Sequence, residues 1–138
     1  MLKIVADTNV LVSSLLRRGK PHELILRIDG LKTRLISSNI LMDELVSVLA
    51  EERIARYISR KDVDGFLRYV GRRTTLVKIR SRFKIVKEDP RDDVVLNTAY
   101  SGKADYIVSG DKHLMPLREF KGIRIVTVSE LLDVLKKT

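Results

Sequence analysis

Residues 2–16 read LKIVADTNVLVSSLL, and this stretch decides the fold class. Its apolar, partly β-branched residues 2–6 predict a buried strand, and Asp7, Thr8 and Asn9 predict a polar turn. The amphipathic residues 10–16 that follow predict a helix. A strand followed at once by a helix is typical of a parallel sheet, because the helix carries the chain back to the start of the next strand.

The same alternation continues along the rest of the chain. We predict further strands at residues 33–36, 83–86, 106–109 and 123–128, and helices at residues 21–28, 40–56, 63–70, 92–100 and 129–135, the last with its N-cap near Ser129. Apolar strands between helices indicate a parallel sheet that helices cover on both faces. No Pro-, Gly- or Ser-rich linker divides the chain. We therefore predict an α/β fold, a three-layer α/β/α sandwich with a central parallel sheet, as a single domain over residues 1–138.

The composition excludes several classes of protein. The chain contains no cysteine, so it has no disulfide, no thiolate nucleophile and no Cys-ligated zinc or iron–sulfur centre. Any metal must be held by oxygen ligands or by the two histidines. No apolar run approaches the eighteen or so residues that cross a bilayer, and the polar Asp7 comes too early for a signal peptide. We expect a cytoplasmic protein with no membrane partner.

The chain is strongly basic, and the charge is unevenly distributed. It has 27 Lys and Arg against 18 Asp and Glu, a net charge of +9, and residues 51–91 contribute +7 of it with 13 basic and 6 acidic residues. Such a region predicts a track for a phosphate backbone, although ordinary solvated helix faces would have the same composition. The candidates for contacts to this phosphate backbone are Arg53, Arg56, Arg68, Arg72 and Arg73.

Against this basic background, a few acids fall where a parallel sheet gathers its ligands, beyond the carboxyl ends of the strands. Asp7 ends the first strand, and Asp111 follows the strand at 106–109 after Gly110. Glu44 borders the apolar stripe of its predicted helix. Either Asp92 or Asp93 begins another helix, and the apolar neighbours of Asp92 favour it, but the register stays open by one residue.

Each acid taken alone has a simpler explanation as a turn residue, a helix cap or a solvated side chain. Taken together, four close carboxylates would repel one another, and a divalent cation resolves that conflict. Hard ions such as Mg²⁺ or Mn²⁺ suit an oxygen-only site.

Four segments carry a resemblance to a known family. VADTNVLVSSLLRRG, the helix with Glu44, DPRDDVVLNTAYSGKADYIVSGDKHLM and IRIVTVSEL resemble PIN-domain nucleases, in particular the toxin components of toxin–antitoxin pairs related to VapC. The resemblance runs from about residue 2 to residue 132. It implies a metal-dependent endoribonuclease, an RNA substrate that the basic region 51–91 would bind, a small antitoxin partner, and a homodimer or higher oligomer.

The resemblance also implies roles for individual residues. The catalytic acids would be Asp7, Glu44, Asp92 or Asp93, and Asp111. Of these, Asp7, Asp111 and the helix-start acid at 92 or 93 would bind the metal, and Glu44 would position or deprotonate the attacking water. Thr8, Asn9 and Ser109 would support the acids.

Two other functions are compatible with parts of the sequence. The same fold could be a catalytically inactive RNA-binding or regulatory module, against which the retention of all four acidic positions argues. A phosphotransfer enzyme with Asp7 as nucleophile is disfavoured, because Asp7-Thr8-Asn9 lacks the second aspartate of the Asp-x-Asp pattern. There is also no phosphate-binding GxxxxGK loop.

Overall fold

The computed structural model describes residues 1–137 and contains one six-stranded sheet in the order β3-β2-β1-β4-β6-β5. The strands are β1 (Leu2–Ala6), β2 (Thr33–Ser37), β3 (Thr74–Leu76), β4 (Tyr106–Val108), β5 (Glu119–Phe120) and β6 (Ile123–Val126). The helices are α1 (Thr8–Leu16), α2 (Lys20–Arg27), α3 (Asn39–Leu49), α4 (Glu52–Ala55), α5 (Arg60–Arg72), α6 (Pro90–Ser101) and α7 (Val128–Lys136), with a short 3₁₀ turn at Met115–Leu117.

Hydrophobic packing covers both faces of the sheet. Along β1 the side chains alternate, so that Ile4 and Ala6 join one buried cluster and Val5 joins the other. The first cluster includes apolar residues of α1, α2, α3 and α7, and the second includes those of α6. The predicted three-layer α/β/α fold is therefore confirmed, with one qualification: β5 pairs antiparallel to β6, so the sheet is mostly parallel.

The register of the central strands positions the site. Ala6 of β1 pairs with Val108 of β4, so both strands end at the same level of the sheet. Asp7 and Ser109, the residues that follow, therefore emerge side by side at the carboxyl edge.

The predicted strand at residues 83–86 is wrong. These residues are part of a segment, 77–86, that has no regular secondary structure and lies along α6. After Val77, which still binds β2, its N–H groups bind side chains of α6 instead of a neighbouring strand, for example Phe83 N–H to Asn97 Oδ1 at 2.9 Å. The strand in this part of the chain is β3, whose three residues give too short a pattern to be recognised.

Two predicted helix boundaries are also wrong. The helix predicted at 40–56 ends at Leu49, and α4 begins after Glu51, whose extended backbone lets Ile54 turn into the core. The last helix has its N-cap at Thr127, not Ser129. The Thr127 side chain accepts the N–H of Glu130, and the Glu130 carboxylate accepts the N–H of Thr127, which makes a capping box. Within residues 1–137, no helix has the length and apolar character needed to cross a membrane.

Candidate active site

Ser109 links the first and last of the predicted acids. Its buried hydroxyl donates to Asp7 Oδ2 at 2.7 Å and accepts the backbone N–H of Asp111 at 2.9 Å. Asp111 is further fixed by the His113 N–H, which donates to its Oδ1 at 2.7 Å. The turn after β4 thus holds Asp111 next to the end of β1.

The first turn of α6 brings in a third acid, Asp92. Val95 and Leu96 pack into the core beneath the helix, and this packing turns Asp92 inward until only 4% of the residue is exposed. Its Oδ2 is buried and has no hydrogen-bond partner among residues 1–137. An unpartnered buried carboxylate oxygen is costly, and a bound cation would satisfy it.

Asp89 is a member of the cluster that the sequence analysis missed. One oxygen each of Asp89, Asp92 and Asp111 lie within 4.8 Å of one another. Asp89 is the N-cap of α6, accepts the N–H of Arg91 and also pairs with the Arg91 guanidinium at 3.1 Å. The signal was present in the sequence, because Pro90 favours the first helical position and so makes the preceding Asp the cap.

Asp93, the alternative to Asp92, lies outside the cluster. Its Oδ1 accepts the N–H groups of Ile85 and Val86, each at 2.9 Å. Asp92 thus lies with the other acids, whereas Asp93 binds the backbone of the segment 77–86.

Glu44 reaches the cluster from α3. Its Oε2 accepts the hydroxyl hydrogen of the buried Thr8 at 2.9 Å, and its Oε1 lies 3.9 Å from an Arg91 nitrogen. Its side chain is 29% exposed, so the carboxylate meets solvent while Thr8 orients it. Asn9, the third polar residue of the turn after β1, lines the same cleft and is exposed.

Burial and the closeness of other charges shift the pKa values of the acids. Burial raises the pKa of Asp92 to about 7, and the negative charge of Asp111 adds to the effect. Burial also raises the pKa of Asp7, against which the hydrogen bond from Ser109 acts. Hydrogen bonds from Arg91 hold the pKa of Asp89 below its usual value. Near neutral pH the metal-free cluster therefore titrates between a form with a proton on Asp92 and a fully ionised form, and a bound cation would favour the ionised one.

The donor set fits a hard divalent cation. All candidate ligands are carboxylate oxygens, three of them converge, and Asp92 supplies an oxygen that no protein group satisfies. These are the ligands that Mg²⁺ and Mn²⁺ prefer.

Two clefts meet at the acids. The first, of about 130 Å³, is lined by the acids Asp7, Glu44, Asp89, Asp92 and Asp111, with Arg53 and Arg91 also in its wall. The second, of about 280 Å³, shares Asp7, Asn9 and Asp111 with the first and continues past Pro21 and Val128. A strand-shaped substrate can therefore lie across the acids and continue from one cleft into the other.

The predicted basic residues are spread over the molecule. Arg53 lies at the acidic cleft and pairs with Glu51, and Arg56 contacts Glu52 on α4. Arg68 and Arg72 are exposed on α5. Arg73 lies at the start of β3, where its guanidinium stacks 3.5 Å from the Tyr69 ring centre and donates to the Tyr69 carbonyl. Its side chain lies beside Gly30, which precedes β2, so Arg72 and Arg73 are near the edge of the sheet opposite the acids.

Comparison with known proteins gives one family and a fold. A protein-family model described as "PIN domain" matches residues 3–113. The solved structure of VapBC2 from Rickettsia felis, bound to a DNA fragment from their promoter, superposes with a TM-score of 0.62 at 12% identity, covering 91% of this chain and 98% of that one. PAE2754 from Pyrobaculum aerophilum superposes with a TM-score of 0.63 at 16% identity, covering 99% and 91%. No curated protein sequence gives a significant match.

Proposed function

Because the chain belongs to the PIN-domain family of nucleases, we propose that it is a metal-dependent endoribonuclease that hydrolyses RNA phosphodiester bonds at the acidic cluster. The observation that carries the proposal is the buried, unpartnered Oδ2 of Asp92, within a group of carboxylates that converge at the carboxyl edge of the sheet. Such a group is unfavourable on its own and becomes favourable around a cation.

We assign the cation to Asp92, Asp111 and Asp7, with Asp89 as a further ligand that the structure adds to the predicted set. A bound Mg²⁺ or Mn²⁺ supplies positive charge that stabilises the scissile phosphate in the transition state. Ser109 holds Asp7 and Asp111 in a fixed relation, so that these ligands need little rearrangement when the cation binds. Asp93 is not in this set, because its carboxylate is engaged by Ile85 and Val86.

Glu44 is the proposed base. Thr8 holds one of its oxygens, and its partial exposure leaves the other accessible to water in the cleft. In the proposed reaction, water attacks phosphorus and its proton passes to Glu44, while the bond from phosphorus to the leaving ribose oxygen breaks and that oxygen takes a proton from solvent. Arg91 and Arg53, in the cleft wall, are placed to contact the phosphate groups of the strand.

The role of Thr8 can be tested separately from that of the acids. Thr8→Val keeps the shape of the buried side chain and removes only the hydroxyl, so Glu44 loses its orienting hydrogen bond. We expect kcat for RNA cleavage to fall by about 10-fold with KM nearly unchanged, since general bases contribute roughly 10²–10⁴-fold when well placed. Thr8→Ser retains the hydroxyl and should restore most of the rate. A Val variant as fast as the parent, or a Ser variant as slow as the Val variant, would contradict this role.

The proposed activity itself is tested on purified protein with a labelled single-stranded RNA. We expect cleavage with Mg²⁺ or Mn²⁺ and none with EDTA, and weaker or no cleavage of DNA of the same sequence. RNA binding without cleavage under any of these cations would instead support the inactive RNA-binding module.

We further propose that the chain is the toxin of a toxin–antitoxin pair and acts in the cytoplasm. The support is the resemblance of its motifs to VapC-related toxins and the likeness of its fold to the VapBC2 structure. Induced expression in a bacterial host should arrest growth, and Asp7→Asn should abolish the arrest. Co-expression of a small antitoxin encoded beside the gene should relieve it. We also propose a homodimer or higher oligomer, which light scattering of the purified chain would test.

A further inference from the structure

The segment 77–86 is bound to β2 at Val77 and to α6 from Arg80 onward. Three α6 side chains spaced four residues apart bind its backbone: Ser101 accepts the Arg80 N–H at 3.0 Å, Asn97 binds both the N–H and the carbonyl of Phe83, and Asp93 accepts two further N–H groups. Residues four apart lie on one face of a helix, so this face of α6 supplies the hydrogen-bond partners that a neighbouring strand would supply in a sheet. The segment runs antiparallel to α6 and therefore towards the first turn of that helix, where the acids lie.

Side chains of the segment alternate between the protein and solvent. Ile79, Ser81 and Phe83 are half-buried, and Phe83 packs against the rings of Tyr100 and Phe120. The exposed alternate positions are all cationic: Lys78, Arg80, Arg82 and Lys84. We call these four side chains the basic track.

The basic track differs from the arginines of the acidic cleft and of α4 in having no acidic partners. Arg53, Arg56 and Arg91 each pair with a carboxylate. In the part of the chain that the structure describes, no side chain of the basic track forms an ion pair. Four exposed positive charges without internal partners on a fixed backbone are available to an external polyanion.

The spacing of the basic track matches a single strand. The exposed positions alternate over residues 78–84, and alternate residues of a chain lie at most about 7 Å apart, comparable to the step between successive phosphates of an unstacked nucleic acid strand. The final member, Lys84, precedes Asp89 by five residues, at most about 18 Å of chain. A strand that follows the track therefore arrives at the acidic cleft.

We propose that the basic track binds the sugar–phosphate backbone of single-stranded RNA and delivers it to the acidic cleft. The identification of the strand as RNA rests on the proposed function. The α6 contacts hold the backbone of the track before binding, which lowers the ordering cost of the four contacts.

The test compares two variants with the same change in charge. The track variant carries Lys78→Gln, Arg80→Gln, Arg82→Gln and Lys84→Gln. The control variant carries Lys32→Gln, Arg60→Gln, Lys61→Gln and Lys137→Gln, at exposed positions that are outside any ion pair among residues 1–137 and were not candidates for RNA contacts. Binding of a fluorescent 20-nucleotide RNA is measured by anisotropy in EDTA at several salt concentrations.

We expect the track variant to bind at least 10-fold more weakly than the parent. The slope of log K against log salt should decrease by about 2–3, since each lost phosphate contact contributes about 0.7 for a single strand. The pair Arg82→Gln and Lys84→Gln, nearest the cleft, should show about half of this change. The control variant should change the slope by less than 1. Equal losses in both four-residue variants, or parental binding by the track variant, would overturn the proposal.

Cleavage kinetics distinguish this proposal from the proposed function. A dinucleotide is too short to reach the basic track, so the track variant should cleave it at the parental kcat/KM while it loses at least 10-fold on the 20-mer. If the parent cleaves no RNA, the proposed function fails, and the binding comparison still decides the role of the track.

Discussion

Asp7→Asn and Asp111→Asn are each expected to lower the rate of metal-dependent RNA cleavage by at least about 10³-fold. Both carboxylates belong to the set that would neutralise a divalent cation, and the amide removes the negative charge while keeping the shape. Loss of a group that stabilises transition-state charge typically costs 10²–10³-fold, and here loss of the cation adds to that cost. Single-turnover cleavage of a labelled RNA, at the lowest Mn²⁺ concentration that saturates the parent, is the measurement.

Asp43→Asn provides the matched control for this experiment. Asp43 precedes Glu44 on α3, is exposed, and is not part of the acidic cleft. The same chemical change at this position should leave the rate within about twofold of the parent. Parental rates for the Asp7 and Asp111 variants would remove the acids from the mechanism.

Asp92→Asn is expected to stabilise the metal-free protein at alkaline pH. The pKa of Asp92 is raised to about 7 from the usual 3.8, so its favourable contribution to folding is complete below pH 3.8 and is lost as pH rises through about 7. At about 1.4 kcal/mol for each pKa unit, the loss by pH 8 is roughly 2–4 kcal/mol. Asn is uncharged at every pH, so the Tm of the Asp92→Asn variant in EDTA at pH 8 should exceed that of the parent by roughly 5–15 °C.

The difference in Tm between Asp92→Asn and the parent should depend on pH and on bound metal. At pH 4 the two proteins should melt within a few degrees of each other, since Asp92 is then protonated. Added Mn²⁺ at pH 8 should raise the Tm of the parent and have little effect on the variant. Asp133→Asn, at an exposed position on α7, is the control and should change nothing at either pH. A variant less stable than the parent at pH 8 without metal would contradict the charge crowding we describe.

The parts of the site predicted from sequence are those that follow directly from strand and helix periodicity. Asp7 and Asp111 could be assigned to one edge of the sheet because apolar runs that end in polar residues indicate strand ends, and parallel strands end at one edge. The inward face of α6 could be predicted from Val95 and Leu96, which favoured Asp92. Asp89 was missed because it was not treated as the cap before Pro90.

The remaining errors have one physical cause. Residues 83–86 have strand-forming side chains, but their backbone hydrogen bonds go to Asp93 and Asn97, and the adjacent N–H groups of Ile85 and Val86 both point to one oxygen of Asp93. No local pattern states which distant group will satisfy a backbone N–H. The same holds for Arg73, whose charge is evident in the sequence while its stacking on Tyr69 depends on how α5 meets β3.

The most direct test of the central claim is a crystal structure of the protein soaked with Mn²⁺ at pH 8, with anomalous scattering recorded at the manganese edge. The account predicts a peak bonded to carboxylate oxygens of Asp92 and Asp111, and no such peak in crystals of Asp92→Asn. An acidic cluster that holds no manganese, with peaks confined to other surfaces, would contradict it.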